Sequence, residues 1–426
     1  MALRPITSRT AARAGGVVVA LSLLVAPTSA SADDPNDPEP NVSGPIPNLP
    51  RIPIEEGPIC GTLPDTSIDE FRTYDEMTDD MRELADTARF DVELTSFGES
   101  NQGRDLWMTR VGNGDRVLLM QGMIHGNEKA SPEAVFRMMD WLGNSNARSA
   151  RVIREELTII GIPQFNPDGG ELDQRQNART WQETVDDFPQ LAGTEPAWNY
   201  NPDAEESPGF DVNRDFHPDL DYVPQPEDFP GDSAGFGWFI NPESQALRDL
   251  YLDLEDEFGQ VDAFVDVHHQ GPCVARDDTE ELIDVSVDYP PLPDWEFEEG
   301  GKYADYEDSQ DASRQLAMSA YAGIDDEGYL ANRYHHAPER DIPGQARSAF
   351  ALNGTATVLF EIRGQTQHFG DEGRERFTRA AVAGLYRMID ELATGEVDDY
   401  DPDAYDELPG TTYLDPENEV APFVID

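Results

Sequence analysis

His125 and Glu128 stand three residues apart, just past an apolar run of strand type, Val117-Leu118-Leu119-Met120. An imidazole and a carboxylate at that spacing beyond a strand end can converge on one cation. A single pair of this kind is common, so its meaning depends on a third ligand, a base and an anion site further along. Polar residues of those types recur after later strand-like runs. Asn166-Pro167-Asp168-Gly169 and then Arg175-Gln176-Asn177-Ala178 follow Leu157 to Ile162; His268 ends Val261 to Val267; Glu361 follows Val358-Leu359-Phe360. A further cluster, Gly209 to Phe216, contains Asp211-Val212-Asn213-Arg214 and lies in the long connection before His268. His269 is adjacent to His268, and the Asp266-Val267-His268 spacing favours His268 as the ligand.

The elements that must carry these residues can be read from hydrophobic period and turn chemistry. Thr73 to Glu76 can cap a helix running to Ala88 with Met77, Met81, Leu84 and Ala85 on one face. Ser131-Pro132-Glu133 starts a second helix burying Ala134, Val135, Met138, Met139 and Leu142. Helices are also expected over about 243–258, 312–321 and 374–394, and strands near 90–95, 106–111, 117–120, 157–162, 261–267 and 355–362. Residues 179–208, 219–240 and 272–308 read as loops. Strands alternating with helices predict an α/β fold: one domain with a mixed, mostly parallel β-sheet flanked by helices. Such open sheets place their sites at the strand ends. The expected division is a signal peptide at 1–32, a Pro/Asp-rich leader at 33–68, a catalytic domain at 69–395 and an acidic tail at 396–426.

Taken in order, these motifs resemble the zinc carboxypeptidase family, the carboxypeptidase A-like metallopeptidases, over about residues 71–394. The matching pieces are His125-Gly126-Asn127-Glu128, the Asn166-Pro167-Asp168-Gly169 turn, Asp211-Val212-Asn213-Arg214, Asp266-Val267-His268 and Phe360-Glu361-Ile362-Arg363, with Gly98 to Arg104 as the family's early turn. The resemblance implies one Zn²⁺ per chain held by His125, Glu128 and His268. Two histidines and a carboxylate leave one tetrahedral position open, the mark of a catalytic zinc. It further implies Glu361 as general base and then acid, and Arg175, with Arg179 as its rival, as the donor that stabilises an oxyanion. Asn213 and Arg214 would hold the substrate's terminal carboxylate, and Tyr334 is the candidate for the family's capping tyrosine, in a segment that departs from the usual motif. The implied activity is hydrolysis of the C-terminal bond of peptides or proteins, with cleavage of cell-wall peptides as the alternative and an inactive binding protein as a remote one. The leader is too short for the folded pro-domain of digestive members. His217 and His368 are expected to be structural or superficial, and His335-His336 lie in a loop-like stretch.

Composition sets the environment. The formal charge is −56, and lysine occurs only at Lys129 and Lys302. Nucleic acid is excluded as a partner by such a surface. With 38% hydrophobic residues and clear periodicity, the acidity points away from disorder and toward a halophilic protein. At ~1 M salt the Debye length falls to about 3 Å, which screens self-repulsion. An unfolding midpoint that rises from millimolar to molar salt is expected; one independent of salt contradicts it. Arg4, Arg9 and Arg13, the apolar stretch from Gly16 to Ala26 and Ala30-Ser31-Ala32 form a secretory signal pattern cleaved near Ala32. That stretch is shorter than the ~20 residues of a membrane span. Cys60 and Cys273 are the two cysteines, and in an exported chain an even pair favours a disulfide.

Overall fold

The computed structural model describes residues 39–42 and 71–412, apart from 205, 272–273, 276–282, 293–302, 304–305, 335–341 and 364–369. The segments assigned to the signal peptide, both cysteines, His335, His336 and His368 lie outside the described residues. In chain order the helices are α1 (Tyr74–Thr87), α2 (Ala130–Asn144), α3 (Arg148–Glu156), α4 (Pro167–Leu172), α5 (Trp181–Asp187), α6 (Pro242–Phe258), α7 (Tyr306–Asp326), α8 (Ala346–Leu352) and α9 (Gly370–Thr394). The strands are β1 (Val92–Glu99), β2 (Asp105–Gly112), β3 (Arg116–Gly122), β4 (Leu157–Ile162), β5 (Tyr200–Asn201), β6 (Gly209–Phe210), β7 (Ala263–Gln270), β8 (Val274–Ala275), β9 (Val285–Asp288), β10 (Ala331–Arg333), β11 (Ala356–Arg363) and β12 (Thr411–Thr412).

Eight strands form one sheet in the order β1-β2-β4-β3-β7-β11-β9-β10. Neighbours β4-β3, β3-β7, β7-β11 and β9-β10 run parallel, and the β1-β2, β2-β4 and β11-β9 pairs are antiparallel. This is the expected mixed, mostly parallel sheet flanked by helices. Successive side chains of a strand leave on opposite faces, and the central strands show it. Leu118, Met120, Val265, Val267, Val358 and Phe360 join α1, α2, α3, α7 and α9 in one core. Val117, Leu119 and Phe264 join α6 and α8 in the other. A sheet covered on both faces needs near-continuous apolar strands, which is why these runs stood out in the sequence.

Local signals fix the helix ends. Thr73 and Glu76 form a reciprocal capping box on α1. Pro242 opens α6, and Gly259, at φ +92°, closes it in the left-handed region that favours glycine. The acidic stretch read as loop contains β9, four buried residues too few to show a period. Helices α3 and α8 were likewise not anticipated: α8 is seven residues, all buried. Part of the acidic tail packs on the body. Tyr405 is buried, its hydroxyl donating to Asp288 Oδ1 (2.7 Å), while Arg333 N–H on edge strand β10 donates to Pro409 O (2.6 Å). Covering that edge removes a site of strand addition. Among the described residues no helix is long and apolar enough to cross a membrane.

Candidate metal centre

The chain leaves β3 through Met123, held at φ +58°. A left-handed non-glycine residue costs of order 1 kcal/mol and persists only where its surroundings enforce it. Here they do: Met123 N–H donates to Ser131 Oγ (2.8 Å) and its carbonyl accepts from Asn166 N–H (2.9 Å). The following Gly126 lies so close to the Asn166–Gly170 turn that a Cβ there would collide with the Gly169 backbone. Strain and close approach together set the direction of His125 and Glu128.

His125, Glu128 and His268 are all buried and offer ligand atoms within 4.8 Å of one another. His125 Nδ1 is hydrogen-bonded to Glu128 Oε1 (2.6 Å). Glu128 Oε2 lies 2.9 Å from His268 Nδ1 and takes no hydrogen bond. The opposite ring nitrogens face carboxylates: His125 Nε2 is 3.2 Å from Asp211 Oδ1, and His268 Nε2 is 2.9 Å from Asp266 Oδ2. Both imidazoles thus turn Nδ1 toward Glu128 while an acid steadies Nε2, the usual support of a metal-binding histidine. Burial raises the Glu128 pKa, but the two histidines outweigh it and hold the carboxyl far below its ordinary range. Burial also opposes charge on His268, yet Asp266 and Glu128 push its pKa well above the ordinary value. A cluster that favours positive charge this strongly, with a buried carboxylate oxygen lacking a hydrogen bond, fits a divalent cation with nitrogen and oxygen ligands.

His268 and His269 both lie inside β7, which continues to Gln270, so they leave on opposite faces. His269 Nε2 accepts the N–H of Ala130 (2.7 Å) at the start of α2, where Lys129 provides no side-chain cap. His268 is the one that meets Glu128, as the spacing to Asp266 indicated. His217 stacks on Tyr222 with ring centroids 4.0 Å apart, away from the cluster.

Glu361 and His268 are direct register partners on β11 and β7. The Glu361 carboxyl is 8% exposed and its Oε2 makes no hydrogen bond. Burial pushes its pKa up to about 8 and Glu128 adds to this, while His268, Arg347 and Arg175 act in the other direction. Arg175 comes in from the loop after α4. Its Nε (3.0 Å) and Nη2 (2.8 Å) both donate to Asp211 Oδ2, leaving Nη1 3.3 Å from His125 Nδ1 and 4.0 Å from Glu128 Oε1. Arg179 is spent elsewhere, donating to Thr184 Oγ1, Asn101 Oδ1 and Asp187 Oδ2. Of the two rival arginines, only Arg175 reaches the cluster.

Asn213 is buried beside His268, with Nδ2 3.5 Å from its Nε2, and its Oδ1 accepts the N–H of Ala346. Arg214 Nη1 donates to the carbonyl of Asn213 (2.8 Å). Tyr334 directly follows β10. Register runs Asn332–Ser286–Glu361 and Arg333–Val287–Phe360 across β10, β9 and β11. Tyr334 N–H donates to Val287 O, so the residue sits two strands away and level with the strand interior. β10 runs parallel to β9 and therefore opposite to β11.

Asp211, Asp266 and Arg347 were given no role by sequence reasoning. Asp266 stands two residues before His268 on β7, a spacing that puts side chains on one face of a strand, whereas Asp211 caps the short 3₁₀ turn Val212–Arg214 and accepts the N–H of Asn213. A polar cavity of about 190 Å³ adjoins Arg175 and is lined by Asn127, Asp173, Gln176, Asn201 and Asp203.

The Arg175 loop is anchored by Asn177, which exchanges hydrogen bonds with Phe210 and donates to Glu243 Oε2 (3.1 Å). Glu243 is fully buried at the start of α6, and burial lifts its pKa to about 7, from an ordinary value of 4.5. An acid with a raised folded-state pKa stabilises the fold below its unfolded value and loses that contribution as pH rises through the folded one. We expect Glu243 to withdraw about 3 kcal/mol between pH 4.5 and 7. In denaturant titrations across that window, Glu243→Gln should make the downward slope shallower by that amount; an unchanged slope refutes the assignment.

A model of the zinc carboxypeptidase family matches residues 77–308. A zinc carboxypeptidase of Saccharothrix mutabilis subsp. capreolus is 29% identical over 118 residues, covering 26% of this chain and 27% of that protein. Zinc carboxypeptidase A 1 of Anopheles gambiae is 27% identical over 135 residues, 31% of either chain. The matched stretch therefore spans less than a third of these curated relatives. Bovine thrombin-activatable fibrinolysis inhibitor, solved in complex with tick carboxypeptidase inhibitor, shares the fold with a TM-score of 0.51 at 14% identity, over 76% of this chain and 98% of that one.

Proposed function

Because the chain belongs to the zinc carboxypeptidase family, we propose that it is an exported zinc metallocarboxypeptidase acting on the C-terminal bond of peptides or proteins. The observation that carries this reading is the convergence of His125, Glu128 and His268, each through the atom a metal needs, beside a buried Glu361. His125 Nδ1, His268 Nδ1 and the Glu128 carboxylate would hold one zinc ion. When bound, zinc acts as a Lewis acid on the scissile carbonyl and makes the attacking water more acidic.

The chain's own residues do the rest. Glu361 takes a proton from the attacking water as the new carbon–oxygen bond forms, and passes it to the leaving nitrogen as the carbon–nitrogen bond breaks. Its carboxyl must be ionised first, and a cation held by the neighbouring ligands favours that form. Arg175 is pre-set by Asp211 with one nitrogen directed at the cluster, so it can stabilise developing negative charge without reorganising. Asn213 stands next to His268, and together with Arg214, whose Nη1 donates to the Asn213 carbonyl, it would supply donors for a terminal carboxylate.

A second reading keeps this chemistry and changes the substrate to cell-wall peptides; the Arg175-Gln176-Asn177-Ala178 pattern and the polar cavity beside Arg175 favour it. Mass spectrometry of peptides and muropeptides incubated with the enzyme in molar salt separates the two. Loss of single C-terminal residues supports the carboxypeptidase, cuts confined to wall peptides support the amidase, and no cleavage of either overturns both. Export is supported by the signal pattern at residues 1–32, and an N-terminus near Asp33 in the mature protein is the test.

A further inference from the structure

The face of the sheet that carries the site is apolar below it, with Val117, Leu119 and Phe264 in one core. Among the polar side chains that interrupt that face, two meet each other beside the cluster. Gln121 on β3 and Asp266 on β7 are register partners, both with no exposed surface, and Gln121 Nε2 donates to Asp266 Oδ1 (3.0 Å). Asp266 Oδ2 is the atom that lies 2.9 Å from His268 Nε2. Burying an amide and a carboxylate here is costly, and Gln121 Oε1 takes no hydrogen bond at all. A residue chosen for stability alone would be apolar.

We propose that Gln121 is a positioning residue for the metal centre, acting through Asp266 on His268. This rests on the zinc reading above. By donating to Oδ1, Gln121 fixes the carboxylate plane of Asp266 and so keeps Oδ2 in ion-pair contact with His268 Nε2. The imidazole is thereby held in one orientation, with its Nδ1 turned toward Glu128. The same contact ties the strand leading to His125 to the strand that carries His268, so the two histidines keep their spacing. No other side chain is hydrogen-bonded to Asp266 Oδ1 among the described residues.

The test is zinc affinity, measured by competition with a chromophoric chelator, for the parent, Gln121→Met, Asp266→Asn and the double variant. Removing an outer partner of a metal-bound histidine typically weakens binding 10–100-fold. Gln121→Met should weaken zinc binding about 10-fold, Asp266→Asn at least as much, and the double variant no more than Asp266→Asn alone. The absorption bands of the cobalt(II)-substituted protein should shift in Gln121→Met, a signature that a loss of general stability does not produce. If Gln121→Met does not fold, Gln121→Asn keeps an amide on this face but falls one methylene short, and carries the same expectation. A variant that binds zinc as tightly as the parent with an unshifted cobalt spectrum overturns the proposal, as does full additivity in the double variant. A parent that binds no zinc would instead remove the zinc reading itself.

Discussion

Glu361→Gln is expected to lower kcat by about 10²–10⁴, with zinc content unchanged. Glutamine keeps the volume and one carbonyl oxygen but cannot accept the water proton, so the loss should appear equally in kcat and kcat/KM. The buried setting makes the experiment clean. Glu361 Oε2 has no hydrogen-bonding partner, so the amide disrupts no bond at that atom. Burial and Glu128 already push the carboxyl toward its neutral form, so a neutral side chain is tolerated and the fold should survive. Zinc quantification and turnover on the same preparation decide the matter. Turnover near the parent level would show that another group moves the proton, and zinc loss would show that Glu361 helps hold the metal.

Arg175→Ala should reduce kcat by about 10²–10³, the usual cost of removing one donor to a developing oxyanion. Lysine is not an equivalent replacement. Arg175 uses Nε and Nη2 on Asp211 while Nη1 faces the cluster, and a single ammonium cannot serve both directions. Arg175→Lys should therefore remain impaired. Arg179→Ala is the control. Its guanidinium is committed to Thr184, Asn101 and Asp187, so its loss should lower the unfolding midpoint and leave kcat of the folded fraction near normal. If Arg179→Ala instead lost kcat and Arg175→Ala did not, the assignment would be reversed.

Much of the frame was legible from hydrophobic pattern. The runs at Val117, Leu157, Val261 and Thr355 are buried on both faces, and such strands announce themselves by apolar content alone. The polar residues at their ends stood out against those runs, which is why His125, Glu128, His268 and Glu361 could be named. Strand β7 goes further than the apolar run because its last residues find partners inside the sheet: Gln270 Nε2 donates to Ser286 Oγ and Glu361 O. Short buried pieces such as β9 and α8 gave no period to detect. Supports of the site were hidden for another reason. Gln121 meets Asp266, and Asp211 meets Arg175, only through strand register and loop placement, which local sequence does not encode. The place of Tyr334 beside β9 is equally a matter of sheet order, since the reversed direction of β10 relative to β11 is not written in local sequence.

His125, Glu128 and His268 are proposed to bind a catalytic zinc, and Glu361 is not among its ligands. Elemental analysis of the purified chain, paired with turnover before and after chelation, tests it most directly. About one zinc per chain is expected, with activity lost on removal and restored by added Zn²⁺. Glu128→Gln should lose the metal, whereas Glu361→Gln should retain it. Full activity in a chain stripped of metal would contradict the claim outright.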